Sequence, residues 1–446
     1  MTVMEQTKYL IAGSSHAALS ALNSIRMLDL DSSLTLITKD ERLPYSPTVL
    51  PYIVSGKSKP EKVQLRDDAF FAKNKVNFIS GAGLSSLDAD NSKVTLQDGQ
   101  EWQYEKLLLA TGASPTIPTI PGLMGTSFYV LRTMDDAVNL NAALNNVKSA
   151  VVLGGGLIGM HAAENLIKAG VQVTIIEMRP QVLPGYFDQQ AAKIIEKIFA
   201  DIGVTMRIGD TVIGAAQEEI CDADLKINFG GDRGLEWFKK NSDGSKVTLD
   251  SGDEISADLL LVCTGVAPSI DYLDGSPVET DHGILVDECM ATNVKNIWAA
   301  GDVAQALNFY NGEKSLSGIL PAAVEQGRIA GMAMIDDPAI NPYPGSVPLN
   351  TYGFFGNQAI SVGVSDENVL PDGTEVSLKV NEDEIFYQKI LIGDGRLLGI
   401  SGINTYFDPG VMWQLILLRT DLTAVKDEFF ENPANTGRDL MSRIWR

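Results

Sequence analysis

Cysteine and histidine are both scarce in this sequence of 446 residues, and their scarcity excludes several kinds of site. The closest two cysteines are 26 residues apart, and no CxxC or CxxxxC pattern occurs. This spacing excludes an iron–sulfur cluster held by this chain alone and provides no disulfide framework. The histidines are equally dispersed, so we predict no metal site. The residues in question are Cys221, Cys263, Cys289, His16, His161 and His282.

Basic residues are also few relative to acidic ones, with 35 Lys+Arg against 57 Asp+Glu and a net charge of −22. Such a chain repels phosphate groups, so we expect neither a nucleic-acid nor a membrane partner. No apolar run approaches the roughly 18 residues that span a bilayer. The opening MTVMEQTKYLIAG has neither the basic nor the apolar section of a signal peptide. We therefore expect a cytoplasmic protein of about two to four domains.

A glycine-rich strand–turn–helix motif is the most informative feature that is present. Residues 151–164 read VVLGGGLIGMHAAE, and the next apolar strand ends at Glu177, 23 residues after Gly154. Gly154 permits a tight turn, Gly156 lets a pyrophosphate approach the backbone, and Gly159 lets the helix pack closely on the strand. Phosphates suit the helix N-terminus, and Glu177 is placed to accept both ribose hydroxyls. We predict a site for NAD rather than NADP, although Arg179 lies two residues on.

The sequence also contains an internal repeat. Residues 93–99 (KVTLQDG) match residues 246–252 (KVTLDSG), and 19 residues after each lysine comes the glycine of a second shared pattern. That pattern is LLLATG at 107–112 and LLVCTG at 260–265. Each copy predicts a short hairpin and an apolar strand that ends in Thr-Gly. A duplication on this scale indicates two dinucleotide-binding units.

The first unit has a degenerate glycine turn, YLIAGSSHAALSAL at residues 9–22. Gly13, Ser15 and Ala18 occupy its three glycine positions, and residues this small still permit close backbone approach. A later segment, TNVKNIWAAGD at 292–302, predicts a strand that ends in a glycine and an aspartate able to accept from ribityl hydroxyls. Residues 317–328 (SGILPAAVEQGR) predict a helix with Pro321 near its first turn. Its positive end suits the anionic edge of a reduced flavin.

These patterns together resemble the two-dinucleotide FAD/NAD(P) oxidoreductases related to the disulfide reductases, over nearly the whole chain. The motifs that carry the resemblance are ATG at 110–112, Gly-Asp at 301–302 and AAVEQGR at 322–328. It implies an α/β fold with two Rossmann-like three-layer domains, for FAD and NAD, and a C-terminal α+β interface domain. The implied boundaries are 1–120 and 250–337 for the FAD domain, 121–249 for the NAD domain and 338–446 for the interface domain.

The resemblance also implies the residues that bind each cofactor. For FAD these are Gly13, Ser15, His16, Ala18, Pro47, Thr48, Ala110, Thr111, Gly112, Gly301, Asp302 and Ala322. For NAD they are Gly154, Gly156, Ile158, Gly159, Glu177 and Gly265. Residues 217–246 match no motif and are interpreted as a loop inserted in the NAD domain. In the interface domain, residues 354–363 and 390–400 predict strands, and residues 413–420 predict a helix.

One functional residue of the resembled family is missing. Residues 41–57 (ERLPYSPTVLPYIVSGK) look like the region that carries a redox cysteine in the coenzyme-A-disulfide and peroxide-reducing branches, with Thr48 in its place. A threonine hydroxyl forms neither a thiolate nor a disulfide. We therefore do not expect disulfide or peroxide reduction, and hydride transfer between nicotinamide and flavin remains.

His161 is a tentative catalytic residue, because it stands where related reductases usually have a glutamate. Two interpretations stay open. The histidine either fills a gap between domains, or it lies at the nicotinamide–flavin contact and helps to orient the ring or shuttle a proton.

The segments 8–22 and 43–57 are similar to the FAD subunit of phenylglyoxylate dehydrogenase and tungsten aldehyde oxidoreductase complexes. That likeness implies an NAD(H)-linked electron-transfer subunit, with an iron–sulfur subunit and a catalytic subunit as partners. Two alternatives stay open: a free-standing NADH oxidase or rubredoxin/ferredoxin reductase, and a catalytically silent nucleotide-binding scaffold. The sequence leaves open whether the C-terminal domain forms a homodimer or docks a partner.

Overall fold

The computed structural model describes residues 4–218, 244–365 and 372–444. Cys221 and most of the predicted insertion at 217–246 lie outside these ranges. The residues that flank the undescribed part, Glu218 and Gly244, are paired partners on neighbouring antiparallel strands.

The first part of the chain builds a mostly parallel sheet around strand–turn–helix units. Leu10, Ile11 and the other apolar residues of its first strand are buried, as expected for a parallel sheet that is covered on both faces. The elements are β1 (Glu5–Ala12), α1 (His16–Leu28), β2 (Leu34–Ile37), α2 (Leu50–Val54), α3 (Asp68–Lys73), β3 (Val76–Ile79), β4 (Leu84–Asp88), β5 (Lys93–Leu96), β6 (Glu101–Leu109) and β7 (Ala113–Pro115).

The middle of the chain builds a second parallel sheet in the same way. Its elements are α4 (Met134–Ala143), β8 (Ser149–Leu153), α5 (Leu157–Lys168), β9 (Gln172–Glu177), α6 (Gln189–Asp201), β10 (Thr205–Ile208), β11 (Val212–Glu218), β12 (Gly244–Leu249), β13 (Glu254–Ala257), β14 (Leu259–Val262) and β15 (Val266–Pro268). The parallel strands follow the order β10-β9-β8-β14, and β11, β12 and β13 form a separate antiparallel sheet.

The chain then returns to the first sheet. The next elements are β16 (Ile284–Leu285), β17 (Ile297–Ala299), β18 (Ala304–Leu307), β19 (Lys314–Ser315) and α7 (Leu320–Met334). The first sheet has the order β3-β2-β1-β6-β5-β4, and β17 pairs with β6 in parallel. Helix α7 packs on α1 at backbone contact, because a Cβ at Gly327 would lie 2.2 Å from the Ala17 carbonyl oxygen.

The last part is an antiparallel sheet covered by helices. Its elements are β20 (Leu349–Phe354), β21 (Asn357–Gly363), β22 (Glu375–Asn381), β23 (Phe386–Gly393), β24 (Arg396–Ile403), α8 (Pro409–Leu417), α9 (Lys426–Glu431) and α10 (Pro433–Ile444). The strand order is β20-β21-β24-β23-β22. One apolar core lies between this sheet and α8 to α10, and another joins residues of β20, β21, β23 and β24 to α5 and α6.

Three predicted elements of this last part need correction. Residues 390–400 are the end of β23, a turn at Asp394 and Gly395, which both have positive φ, and the start of β24. Residues 354–363 are a strand end, a turn and a second strand, because Phe355 and Gly356 both have positive φ, 45° and 83°. The helix predicted at 413–420 starts earlier, at Pro409, where the Asp408 carboxylate accepts from the N–H groups of Gly410 and Val411. It ends at Leu417.

The internal repeat corresponds to repeated structure. Strands β5 and β6, and β12 and β13, form the two antiparallel pairs, and β6 and β14 are the apolar strands that precede Thr-Gly. After each Thr-Gly the chain enters the two-stranded ribbon of β7 and β15. Both threonine hydroxyls donate to backbone carbonyls on the opposite side of this ribbon, Thr111 to Ser269 at 3.0 Å and Thr264 to Thr116 at 2.7 Å.

Candidate functional site

One cavity of about 1870 Å³ lies between the two parallel sheets. Its walls are the segments that follow the carboxyl ends of β1, β2 and β6 in one sheet and of β8, β9 and β14 in the other, together with the segment after β17. Ligands of open α/β sheets bind at these strand ends. A site for one small ligand usually measures about 300–1,000 Å³, so this cavity has room for two.

The first glycine turn forms part of this wall. Gly13 has φ +121°, and a Cβ there would lie 2.0 Å from the Ala110 carbonyl oxygen, so no other residue fits. Ser15 is the N-cap of α1 but makes no side-chain capping hydrogen bond, so the N–H groups of the first turn stay available beside the cavity residues Ser15, His16 and Ala17. Uncapped N–H groups at a helix start form a site for an anion such as a phosphate.

The second glycine turn repeats this arrangement. A Cβ at Gly154 would lie 2.3 Å from the Cys263 carbonyl oxygen, and one at Gly159 would lie 2.0 Å from the Gly154 carbonyl oxygen. A Cβ at Gly156 would meet nothing within 4 Å, so the turn presents bare backbone to open space. Gly156 is the N-cap of α5 and provides no side-chain cap. Ile158 and Gly265 also line the cavity.

Glu177 lies buried at the end of β9, and its carboxylate faces the second turn. Its Oε2 accepts from the Gly155 N–H at 2.7 Å, and its Oε1 accepts from the Arg179 N–H at 2.7 Å. Each carboxylate oxygen can accept a further hydrogen bond, so ribose hydroxyls can still bind here. Arg179 lines the cavity as well, which places one cation next to this carboxylate.

Asp302 makes an ion pair that the sequence did not indicate. Arg132 Nη2 lies 2.8 Å from Asp302 Oδ2, and Arg132 Nε donates to the Ala113 carbonyl at 3.0 Å. Both side chains line the cavity. Arg132 is 170 residues from Asp302 and belongs to no motif; its one local signal is its position directly before Thr133 and the capping box that starts α4.

His16, Ser46 and Thr48 form a row of hydrogen-bonded side chains on the cavity wall. His16 Nε2 lies 2.8 Å from Ser46 Oγ, and Ser46 Oγ lies 2.8 Å from Thr48 Oγ1. Burial lowers the pKa of His16 below its ordinary value, and the charge of Asp302 opposes this shift. Pro47, between the two hydroxyl residues, also lines the cavity.

His161 both lines the cavity and packs between parts of the chain. Its ring meets the ring of Tyr352 edge-on, with the centroids 4.6 Å apart. Burial lowers the pKa of His161; Glu164 opposes this shift and Lys168 adds to it. Glu164 accepts from the Phe355 N–H at 2.9 Å, so the helix that carries His161 is tied to the β20–β21 turn. The two interpretations of His161 are therefore compatible.

Three of the predicted cofactor residues do not line the cavity: Ala18, Gly159 and Ala322. Ala18 is buried in α1, and Gly159 sits where α5 contacts the preceding turn. Ala322 instead lines a separate cavity of about 190 Å³ beside Trp413. The other predicted cofactor residues all line the main cavity.

No group of three metal-ligating side chains occurs within residues 4–218, 244–365 and 372–444. Burial raises the pKa of the Cys263 thiol to about 12, and burial, then Asp287 and Glu288, raise the pKa of Cys289. Neither thiol is thus suited to form a reactive thiolate. Across the same described ranges, none of the helices is long and apolar enough to cross a membrane.

Comparison with known proteins agrees with this geometry. The family model of the pyridine nucleotide-disulphide oxidoreductases matches residues 7–327. The NADH-dependent phenylglyoxylate dehydrogenase subunit epsilon of Aromatoleum evansii is 52% identical over 444 residues, 99% of each chain. A rubredoxin-NAD(+) reductase of Pseudomonas putida is 26% identical, over 88% of this chain and 95% of that protein. The structure of the covalent putidaredoxin reductase–putidaredoxin complex has a TM-score of 0.81 at 22% identity, over 96% of this chain and 99% of the solved one, and confirms the predicted α/β fold.

Proposed function

Because this chain belongs to the pyridine nucleotide-disulphide oxidoreductase family, we propose that it is an FAD-containing electron-transfer subunit. In this proposal it exchanges hydride with NAD(H) and passes electrons to or from iron–sulfur partners of a complex that oxidises a 2-oxoacid or an aldehyde. The main support is the single cavity into which both glycine turns open, since it lets two dinucleotides meet. The relative from Aromatoleum evansii, similar over its whole length, is itself a dehydrogenase subunit.

FAD fits the side of the cavity built by the first sheet. The bare backbone of Gly13 and the uncapped start of α1 suit a pyrophosphate, and Asp302 offers an acceptor for the ribityl hydroxyls. Arg132 holds that carboxylate in place. Bound FAD supplies two-electron exchange with nicotinamide and one-electron exchange with metal centres. In this assignment residues 1–120 form the first part of the FAD domain. Its second part begins after β14 and not at the predicted residue 250, because β13 and β14 pair with strands of the middle part of the chain.

NAD(H) fits the other side, in a domain that starts at residue 121 and runs past the predicted end at 249 to β14, which pairs with β8. The uncapped start of α5 suits the pyrophosphate, and Glu177 suits a ribose with two free hydroxyls. A 2′-phosphate would meet this carboxylate, which favours NADH over NADPH. The name of the relative from Aromatoleum evansii likewise specifies NADH. Residues 338–446 form the proposed interface domain.

The thiol chemistry of the disulfide-reducing relatives has no counterpart here. Thr48 lies on the cavity wall in place of a cysteine, and Cys263 lies in the wall with a raised pKa. Electrons from the flavin must therefore pass to something that docks. A free-standing reductase for a small redox protein is the second candidate, supported by the similarity to rubredoxin-NAD(+) reductase.

Anaerobic mixing with NADH tests the core of this proposal. We expect NADH to bleach the bound flavin in the native chain and also in a variant with Cys221, Cys263 and Cys289 all replaced by serine. Folding of the variant is checked by its flavin content and thermal unfolding. A flavin that stays oxidised with NADH would contradict the proposal and favour the scaffold. Bleaching lost only in the folded variant would show that a thiol takes part.

A further inference from the structure

A continuous row of hydrogen-bonded side chains runs along the cavity wall. It begins at Thr48, whose side chain is exposed to the cavity, and continues through the hydroxyl of Ser46, which is 6% exposed. It ends at the imidazole of His16, the first residue of α1. Each link is 2.8 Å long, a normal length between hydroxyl groups and for an O–H donor to an imidazole nitrogen.

The charged groups around His16 suit transient binding of a proton to its imidazole. Asp302, after β17, is the carboxylate that acts on His16, and Arg132, before α4, is paired with that carboxylate. Tyr45 neighbours Ser46 in the chain, but its hydroxyl donates to Asp40 and accepts from the Met134 N–H. An imidazole that is neutral near neutral pH can accept a proton and release it again.

We propose that Thr48, Ser46 and His16 form a proton relay along the cavity wall, from Thr48 to the half-buried imidazole at the start of α1; the proposal rests on the function proposed above. If the reduced flavin is bound as its anion, its loss of two electrons to one-electron acceptors would release one proton. Thr48 Oγ1 takes this proton as its own passes to Ser46 Oγ, and the Ser46 proton passes to His16 Nε2. One proton thus moves for every two electrons, and the direction reverses when electrons flow towards NAD.

The relay gives a function to three hydrogen-bonded polar side chains on a cavity wall whose thiol, Cys263, is poorly suited to proton release. Bound dinucleotides exclude water from such a cavity, so a proton needs a path made of side chains. Proton transfer by a positioned group typically contributes about 10²–10⁴-fold to a rate. The relay acts on oxidation of the flavin, whereas hydride arriving from NADH brings its own hydrogen. The two half-reactions should therefore respond differently to changes in the relay.

Thr48→Val and Thr48→Ser are matched variants for this test, since the first removes the hydroxyl at nearly constant volume and the second keeps it. With FAD bound, the NADH-reduced protein is mixed anaerobically with ferricyanide. The quantity compared is the rate of flavin oxidation by ferricyanide divided by the rate of flavin reduction by NADH. We expect this ratio to fall at least tenfold in Thr48→Val and in His16→Gln, and to be largely restored in Thr48→Ser.

In the native protein, flavin oxidation should slow as the pH falls through the His16 pKa, below 6.5, and should show a solvent deuterium isotope effect. His282→Gln, which removes an exposed histidine outside the cavity, is the control for loss of an imidazole.

A second readout does not depend on turnover. The chain has three histidines, so His16→Gln assigns the His16 imidazole in NMR spectra of the FAD-free protein. We expect Ser46→Ala to change the tautomer or the pKa of His16, because it removes the hydrogen bond to Nε2.

Equal ferricyanide rates in native protein, Thr48→Val and His16→Gln would overturn the relay, as would a His16 resonance that Ser46→Ala leaves unchanged. These results differ from failure of the proposed function, which would appear earlier, as a flavin that NADH does not reduce.

Discussion

At the scale of single residues, the site depends on carboxylates that the protein already holds in hydrogen bonds. Asp302 is paired with Arg132, and Glu177 accepts two backbone N–H groups. Such carboxylates are oriented before a ligand arrives, so little ordering is left for binding. In the proposed assignment, removing either one therefore affects both the ligand and the protein groups that it holds.

For Asp302 we predict a loss of flavin. Asp302→Ala removes an acceptor and leaves the half-buried Arg132 without its carboxylate, at a cost of about 1–3 kcal/mol for an unpaired polar group. Flavin content after desalting should fall, while Asp90→Ala, an exposed carboxylate outside the cavity, should retain FAD like the native protein. Full retention in Asp302→Ala would refute the assignment of this residue.

For Glu177 we predict a preference for NADH that depends on its charge. The native protein should show a kcat/KM at least tenfold higher with NADH than with NADPH, a difference of about 1.4 kcal/mol. Glu177→Gln keeps the size of the side chain but removes its charge, and should narrow this ratio. The ratio is measured by the steady-state reduction of an artificial acceptor, first with NADH and then with NADPH. An equal or better kcat/KM of the native protein with NADPH would mean that Arg179 determines the preference.

For His161 we predict that its replacement slows the reduction of flavin by NADH and flattens the pH dependence of that rate. Burial lowers the pKa of this imidazole, so the native rate of flavin reduction by NADH should change with pH below the ordinary 6.5. His161→Ala should reduce the rate and remove that change. Stopped-flow measurements across pH 5 to 8 test this. If rate and profile are those of the native protein, His161 only packs against Tyr352.

At the scale of elements, motifs with a local physical cause could be predicted from the sequence. The two glycine turns, the Thr-Gly strand ends and the helix that starts near Pro321 are examples, since each depends on neighbouring residues. The Arg132–Asp302 pair could not be found, because 170 residues separate its members and only the fold brings them together. The β20–β21 turn was missed because Phe355 has positive φ, which few non-glycine residues adopt.

Another long-range contact ties α6 to the C-terminal sheet. Asp188, the N-cap of α6, accepts from Lys389 Nζ at 2.8 Å and from the Tyr387 hydroxyl at 2.6 Å, and Lys389 is buried. Burial raises the pKa of Asp188, but the Ala191 N–H, Lys389 and Tyr387 outweigh it and hold the pKa below 3.8. The carboxylate therefore stabilises the fold above about pH 4, and this contribution is lost as the pH falls.

We predict that Lys389→Met destabilises the protein by about 3 kcal/mol, because it leaves Asp188 with less compensation for its charge. Chemical denaturation at pH 7 measures the loss, and the difference from native protein should shrink as the pH falls below 4. Lys426→Met, which breaks the exposed pair with Glu375, should change stability by less than about 1 kcal/mol. Equal effects of both substitutions would show that burial does not strengthen the Asp188 pair.

At the scale of the whole molecule, the proposed function combines two nucleotide sites in one cavity, and Cys263, the cysteine on its described wall, has a raised pKa. Relatives with this fold include a dehydrogenase subunit and free-standing reductases. The chemistry within the chain is the same in both arrangements, so the fold alone does not determine what receives the electrons. In the proposed function, the partner protein determines where the electrons go.

Isolation of the chain from its native cells under anaerobic conditions, followed by addition of NADH, tests the central claim most directly. We predict that the chain elutes with iron–sulfur proteins, and that NADH bleaches its flavin and produces the electron paramagnetic resonance signals of reduced clusters in the same fraction. A chain that elutes alone, with a flavin that NADH reduces but that passes no electrons to any iron–sulfur protein, would contradict it.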